Sequence, residues 1–415
     1  MQEQSPEGKR QRYVVAAGTG INMIDGIDVL AMAYTAPQIA REWGLGSGQV
    51  GVLLGAGPVG VLAGSVLLAP LADRIGRRRA ILGYLALITM GTLASAAAVN
   101  QQSLMALRVL TGLGVGAMVV GLNTIVAEHA SSQRRSLYIG IVAAGFPLGA
   151  SLSGFLSVVL VSAEGWRSVF IASGIASAVM IAVALVYLPE SPEYVRRPCG
   201  KSITRTGDSR ASTSGLGALL TVARTGPTVA LSAALLATMT TFYFLFSWTP
   251  AVLANAGLSI ARGITGGALI NVGATAGAVL IGVLSRYAPL LRVTRVMMVS
   301  ACLGVALLVG TVRLAAGLTV AGALLTGVCV GAAITGLFAT TAAAYPASIR
   351  ATGAGLAFGA GRVGAIIGPS LGGLLLGRGW HIAVVYAVFT APMLAAATLA
   401  IPHGQSTGSE PDPFE

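Results

Sequence analysis

Leu110-Thr-Gly-Leu-Gly-Val-Gly-Ala-Met-Val-Val-Gly-Leu122 recurs as Leu325-Thr-Gly-Val-Cys-Val-Gly-Ala-Ala-Ile-Thr-Gly-Leu337, with eight identities in thirteen positions at an offset of 215 residues. Each copy lies inside an apolar run long enough to cross a bilayer, which takes about 20 residues. The same offset sets Gly149-Ala150 on Gly364-Ala365. Two pairs of segments agreeing on one offset imply a duplicated unit whose halves run in the same direction. Membrane carriers use such repeats to hold a site between their halves.

Outward from the repeat, twelve apolar runs read as spanning helices: 14–38, 49–70, 80–99, 103–127, 136–161, 167–188, 228–254, 264–284, 296–312, 316–343, 352–376 and 380–401. The expected fold is an all-α integral membrane protein, twelve transmembrane helices in two pseudo-symmetric six-helix bundles. The expected divisions are an N-tail 1–13, a first bundle 14–188, a polar linker 189–227, a second bundle 228–401 and a C-tail 402–415. Composition agrees: 55% of the 415 residues are hydrophobic, 10% are charged, and the mean hydropathy is +0.81. Soluble domains carry about 25% charged residues, so a cytosolic enzyme, a disordered chain and a nucleic-acid-binding domain are excluded. The surplus of glycine, 56 residues, suits helices packed backbone to backbone in lipid.

The net charge of +12 is dispersed in short loops, which points to membrane orientation rather than to nucleic acid. With the N-terminus in the cytoplasm, 19 of the 26 Lys and Arg residues fall in cytoplasmic segments and five in outer loops, with Arg108 and Arg362 inside helices. That bias puts both termini in the cytoplasm, in what is expected to be a bacterial inner membrane. Trp43, Trp166 and Trp380 then fall at outer helix ends, where interfacial anchors sit. The start of the chain is polar and is expected to carry no cleavable signal. Cys199, Cys302 and Cys329 form no disulfide or metal pattern.

Ionisable groups inside a spanning helix are costly and mark function by default. Asp25 and Asp28 share a face of the first span with Asn22 one turn earlier; Arg108 lies in the fourth span, Glu128 at its cytoplasmic end, and Arg362 in the eleventh. No Asp or Glu occurs between Asp208 and Glu410, so a carboxylate that carries a proton must be in the first half. A buried carboxylate holds its proton when alone and releases it beside an arginine. An Asp28 that meets Arg108 in one state only would therefore bind and release a proton; the alternative is a static pair fixing two helices. Arg362, with no acid in its own half, invites an anionic ligand. Tyr243, Trp248 and Asn271 could line a cavity for a flat, partly apolar substrate, or simply pack. Gly55-x-Gly57-x-x-Gly60 matches a dinucleotide fingerprint, but it sits inside a spanning run with no preceding strand and reads as helix packing. No metal-ligand spacing, phosphate loop or catalytic triad is found, so neither cofactor nor catalysis is expected.

Leu71-Ala-Asp-Arg-Ile-Gly-Arg-Arg-Arg79 is similar to the cytoplasmic signature of the major facilitator superfamily, G-x-L-A-D-R-x-G-R-(R/K). Asp25-Gly-Ile-Asp28, with Ala36-Pro37 and Trp43-Gly-Leu45, resembles the aromatic acid:proton symporters of that superfamily, as do Arg108-x-x-x-Gly112 with Glu128, Gly145-Phe-Pro-Leu-Gly149, Gly165-Trp-Arg167 and Tyr345-Pro-x-x-x-Arg350. The resemblance implies a monomeric secondary carrier taking up benzoate-like or hydroxybenzoate-like acids with protons by alternating access. It implies a proton-coupling set of Asp25, Asp28 and Arg108, and an inner gate containing Asp73, Arg74, Arg77 and Arg78. Glu128, Arg134, Arg135 and Arg350 are expected to complete that gate, its charges pairing across the bundles. The substrate set is expected to be Asn22, Tyr243, Trp248, Asn271 and Arg362. The loop Leu284-Ser285-Arg286 departs from the pattern: it lacks the acid that often echoes the first-half signature. Rival readings are symport of another organic anion, such as a dicarboxylate or sugar acid, and proton-driven drug efflux. Efflux carriers often place Gly-Pro-x-x-Gly-Gly in the fifth span; here Gly368-Pro-x-x-Gly-Gly373 lies in the eleventh.

Overall fold

The computed structural model describes residues 6–130, 135–191, 222–255, 260–311, 316–345 and 350–399. These residues form fourteen α-helices and no strand. In chain order they are α1 (Pro6–Trp43), α2 (Ser47–Leu67), α3 (Leu71–Ile75), α4 (Arg77–Ala96), α5 (Gln101–His129), α6 (Arg135–Ala143), α7 (Gly145–Glu164) and α8 (Trp166–Tyr187). They continue with α9 (Val222–Asn255), α10 (Ile260–Leu284), α11 (Leu290–Thr311), α12 (Ala316–Ala343), α13 (Arg350–Gly377) and α14 (Ile382–Leu399). Eleven segments are long and apolar enough to span a bilayer, and Ile382–Ala397 is a shorter apolar helix. Outward side chains such as Leu67, Val186, Val279 and Leu303 are apolar and largely exposed, as a lipid-facing girdle requires.

Two differences from the sequence reading have local causes. α1 starts at Pro6 and α9 at Val222, earlier than the runs at 14 and 228, because hydropathy marks where the bilayer starts rather than where helical hydrogen bonding does. The span expected at 136–161 is broken at Ala144 into α6 and α7. Pro147 has no N–H, so the Ala143 carbonyl loses its partner within the helix. Asn22 supplies a replacement from α1, donating to Val142 O at 2.9 Å and Ala143 O at 3.5 Å.

The repeat is visible as packing. A Cβ on Gly112 or Gly116 would strike the α2 backbone at Gly57 or Val61; one on Gly327 or Gly331 would strike α10 at Ile270 or Ala274. Gly149 presses on Met23 of α1, and Gly364 on Leu236 of α9. The α5–α2 pair thus matches α12–α10, and α7–α1 matches α13–α9. Gly60 meets Val109 O of α5 and Gly55 meets Ser370 of α13, so these two glycines of the dinucleotide-like pattern are helix-packing sites.

Between the halves, α2 packs on α13, α7 on α10 and α1 on α9. These contacts gather at one end. Gly51 meets Pro369 and Gly373, and Gly154 meets Ala268 and Tyr34. A single buried core runs through both halves there, from Leu30, Tyr34 and Phe170 to Phe244, Trp248 and Tyr386. At the opposite end, which carries Asp73, the cores are separate: one of first-half residues such as Ile81 and Leu122, others of second-half residues such as Leu235 and Ile281. The molecule is closed at the Trp43 end and parted at the Asp73 end.

Candidate functional site

α1 carries both membrane aspartates, and its neighbours treat them differently. Gly26, between them, lies against Phe146 and Ala150 of α7, which fixes the rotation of α1 and sends the two carboxylates to different surroundings. Asp28 points into the first half and is 7% exposed. Its Oδ1 accepts from Arg108 Nη1 at 2.9 Å and from Thr92 Oγ1 at 2.8 Å. Arg108, 3% exposed, also donates to Ser95 Oγ at 2.8 Å and Thr111 Oγ1 at 3.1 Å, and its guanidinium sits 5.0 Å from the centre of the Phe170 ring. Four helices of one half, α1, α4, α5 and α8, therefore hold this pair.

Asp25 is half-buried and makes no hydrogen bond or ion pair among the described residues. It stands at the inner limit of the core that joins the halves. Arg362 of α13, in the second half, and Asp28 are within electrostatic reach of it, and Asp25 and Arg362 are both within electrostatic reach of Tyr243 of α9; Arg362 and Tyr243 are half-buried.

The other expected substrate residues lie elsewhere in this conformation. Asn22 is buried and spends its amide on the α6–α7 break. Trp248 is buried and donates Nε1 to Pro369 O at 2.9 Å. Asn271 is fully buried and donates Nδ2 to Tyr34 Oη at 3.2 Å, a bond between halves; Tyr34 in turn donates to Ala150 O at 3.3 Å. Trp248 and Asn271 are tied into the closed part, and Asn22 into the first half beside Val142. Tyr34, Thr92, Ser95 and Thr111 were not singled out from the sequence. The signal available was spacing: Thr92 and Ser95 are three apart and so share the face of α4 that meets α5.

At the Asp73 end, Asp73 reaches Arg77 at 3.5 Å and Arg77 pairs with Glu128. Glu128 accepts from Ser191 Oγ. Glu190 accepts from the backbone N–H of Arg78 at 3.0 Å. These pairs link α3, α4, α5 and the segment after α8 in the first half. Arg74 is exposed; Arg134 and the side chains of Arg135 and Arg350 lie outside the described residues. One anchor is corrected: Trp166 is 1% exposed, donating Nε1 to Glu42 at 2.7 Å and packed edge-on against Trp43, whereas Trp380 is 45% exposed as an interfacial residue should be. Among the described residues no cluster suited to a metal is present.

Comparison with known proteins follows this geometry. The family model described as Major Facilitator Superfamily matches residues 18–320. The chain belongs to that superfamily. This facilitator is 32% identical over 409 residues to the gallate transporter of Pseudomonas putida, covering 93% of this chain and 90% of the relative. It is 30% identical over 407 residues to a 4-hydroxybenzoate transporter of Pseudomonas aeruginosa, covering 92% and 89%. The solved D-xylose-proton symporter superposes with a TM-score of 0.78 at 15% identity, covering 95% of this chain and 98% of that one, which shows a shared fold. The facilitator is an integral membrane transporter and not an enzyme.

Proposed function

We propose that this facilitator takes up a monoaromatic carboxylate together with a proton, moving both through the cleft that opens at the Asp73 end. That end is assigned to the cytoplasm on the Lys and Arg bias of the loops, in a bacterial inner membrane. The observation that carries the reading is a half-buried Asp25 that makes no hydrogen bond or ion pair among the described residues and has Arg362 of the opposite half within electrostatic reach. Ionised Asp25 attracts the Arg362 guanidinium and competes with any other anion for it. Protonated Asp25 leaves Arg362 for a carboxylate ligand, whose ring can lie against Tyr243. Proton and anion therefore favour each other's binding, which is the linkage symport needs. The named relatives carry gallate and 4-hydroxybenzoate, and their acids have this chemistry. Asp28 was the first candidate from sequence; its enclosure with Arg108, Thr92 and Ser95 supports a fixed pair, and Asp25 becomes the proton carrier.

The test is uptake of labelled 4-hydroxybenzoate and gallate into proteoliposomes with and without an inward proton gradient. Wild type is expected to accumulate at least one of them only with the gradient. Asp25→Asn is expected to lose accumulation while retaining exchange of labelled for unlabelled substrate. Gradient-driven accumulation by Asp25→Asn would remove Asp25 from the mechanism. Expulsion of a cationic dye with no acid uptake would replace symport by efflux.

A further inference from the structure

Away from the cleft, at the Asp73 end, the start of α1 and the end of α8 enclose a cavity of about 440 Å³ lined by Arg10, Tyr13, Arg78, Val186 and Tyr187. The rings of Tyr13 and Tyr187 are 5.4 Å apart and form its wall, each about half exposed. Two guanidinium groups enter from different helices. Arg10 is exposed and has no ion pair among the described residues. Arg78 gives one N–H to Leu185 O, while its Nε is buried without a partner. Glu190, the acid nearby, is spent on the backbone N–H groups of Arg78 and Ser191. His129 lies within electrostatic reach of Arg10 and adds no negative charge. Among the described residues the cavity is thus lined by two guanidinium groups, with Glu190 as the one acid close to Arg78. Its rim is apolar and open: Val186 is 73% exposed and Leu185 51%. None of these residues belongs to the Asp25 site.

We propose that this cavity binds the phosphodiester of an anionic membrane phospholipid. Arg10 and Arg78 pair with the phosphate oxygens, whose geometry matches a guanidinium fork. The tyrosines flank the glycerol, as aromatic side chains do at a bilayer interface. The acyl chains run along the exposed apolar face of α8. Free phosphate shares the headgroup chemistry, but it has no use for a rim of two tyrosines and an exposed valine, and that rim commits the site to a lipid.

Native mass spectrometry of the purified full-length chain tests this, with phosphatidylglycerol, phosphatidylcholine or inorganic phosphate added at matched concentrations. Wild type is expected to retain one phosphatidylglycerol in preference to phosphatidylcholine. Arg10→Gln is expected to lower that retention about fivefold, the effect of one cation at a membrane surface, and Arg10→Lys to preserve it. Tyr187→Ala, which keeps both arginines, is expected to weaken the lipid and leave any binding of inorganic phosphate as it was. Unfolding temperatures in pure phosphatidylcholine are expected to match wild type for each variant. Equal retention by wild type and Arg10→Gln would overturn the site. Displacement of the lipid by inorganic phosphate at the same concentration would overturn the lipid assignment.

Discussion

Neutralising the Asp28–Arg108 pair one partner at a time and then together measures whether the first half is built around a fixed charge pair. Arg108→Gln removes the 2.9 Å bond to Asp28 and the bonds to Ser95 and Thr111, leaving a carboxylate 7% exposed with only Thr92 as donor. Removing one partner of a buried pair costs about 3 kcal/mol or more. Asp28→Asn leaves the Arg108 guanidinium, 3% exposed, facing two hydroxyls and the Phe170 ring, at a similar cost of about 3 kcal/mol. The double variant has two neutral amides in the same space and should lose only roughly 1 kcal/mol, because neutral replacement of a buried pair is often tolerated. Additivity would give a loss of about 6 kcal/mol, so the interaction energy is about 5 kcal/mol. Thermal unfolding of the four purified proteins in one detergent should rank wild type first, the double variant second and the single variants last. The double variant should also keep proton-driven accumulation, because Asp25 is untouched. A double variant less stable than either single variant would refute the pair as the structural link. Accumulation lost in the double variant while folding is preserved would return the proton to Asp28.

Arg362→Gln should raise the KM for an aromatic acid at least ~30-fold, the loss of about 2 kcal/mol from one charge-assisted contact, with a smaller effect on exchange at saturating substrate. Tyr34→Phe removes the hydroxyl that receives Asn271 and bonds Ala150 O; losing one or two hydrogen bonds worth about 1 kcal/mol each should shift the population several-fold toward a form open at the Trp43 end. Thiol labelling of a cysteine placed at position 46, in a background lacking Cys199, Cys302 and Cys329, reads that shift. A Cβ at Gly64 would overlap Leu113 O of α5, whereas one at Gly57 meets nothing within 4 Å. Gly64→Ala should therefore lower the unfolding temperature sharply and Gly57→Ala leave it unchanged.

The sequence alone determined the class, the number of spans and the duplication. These depend on local and repeated properties: run length against bilayer thickness, and glycines at one offset that let backbones touch. It also singled out Asp25, Asp28, Arg108 and Arg362, because so few ionisable groups lie within the spans that none is incidental. Tertiary structure decided the surroundings of each. Asp25 and Asp28 are one turn apart and chemically identical; only the rotation of α1 against α7, set at Gly26, sends one to Arg108 and the other toward Arg362. Likewise the sequence sets Trp166 among interfacial anchors, and Trp248 and Asn271 among residues that could line a cavity. The closed core around them turns the first into a buried brace for Glu42, the second into a tie to α13, and the third into a bond between halves. Which end of the molecule is open was never in the sequence, because the same chain must serve both states. Only the cores of the described residues, joined between the halves at the Trp43 end and separate at the Asp73 end, record it.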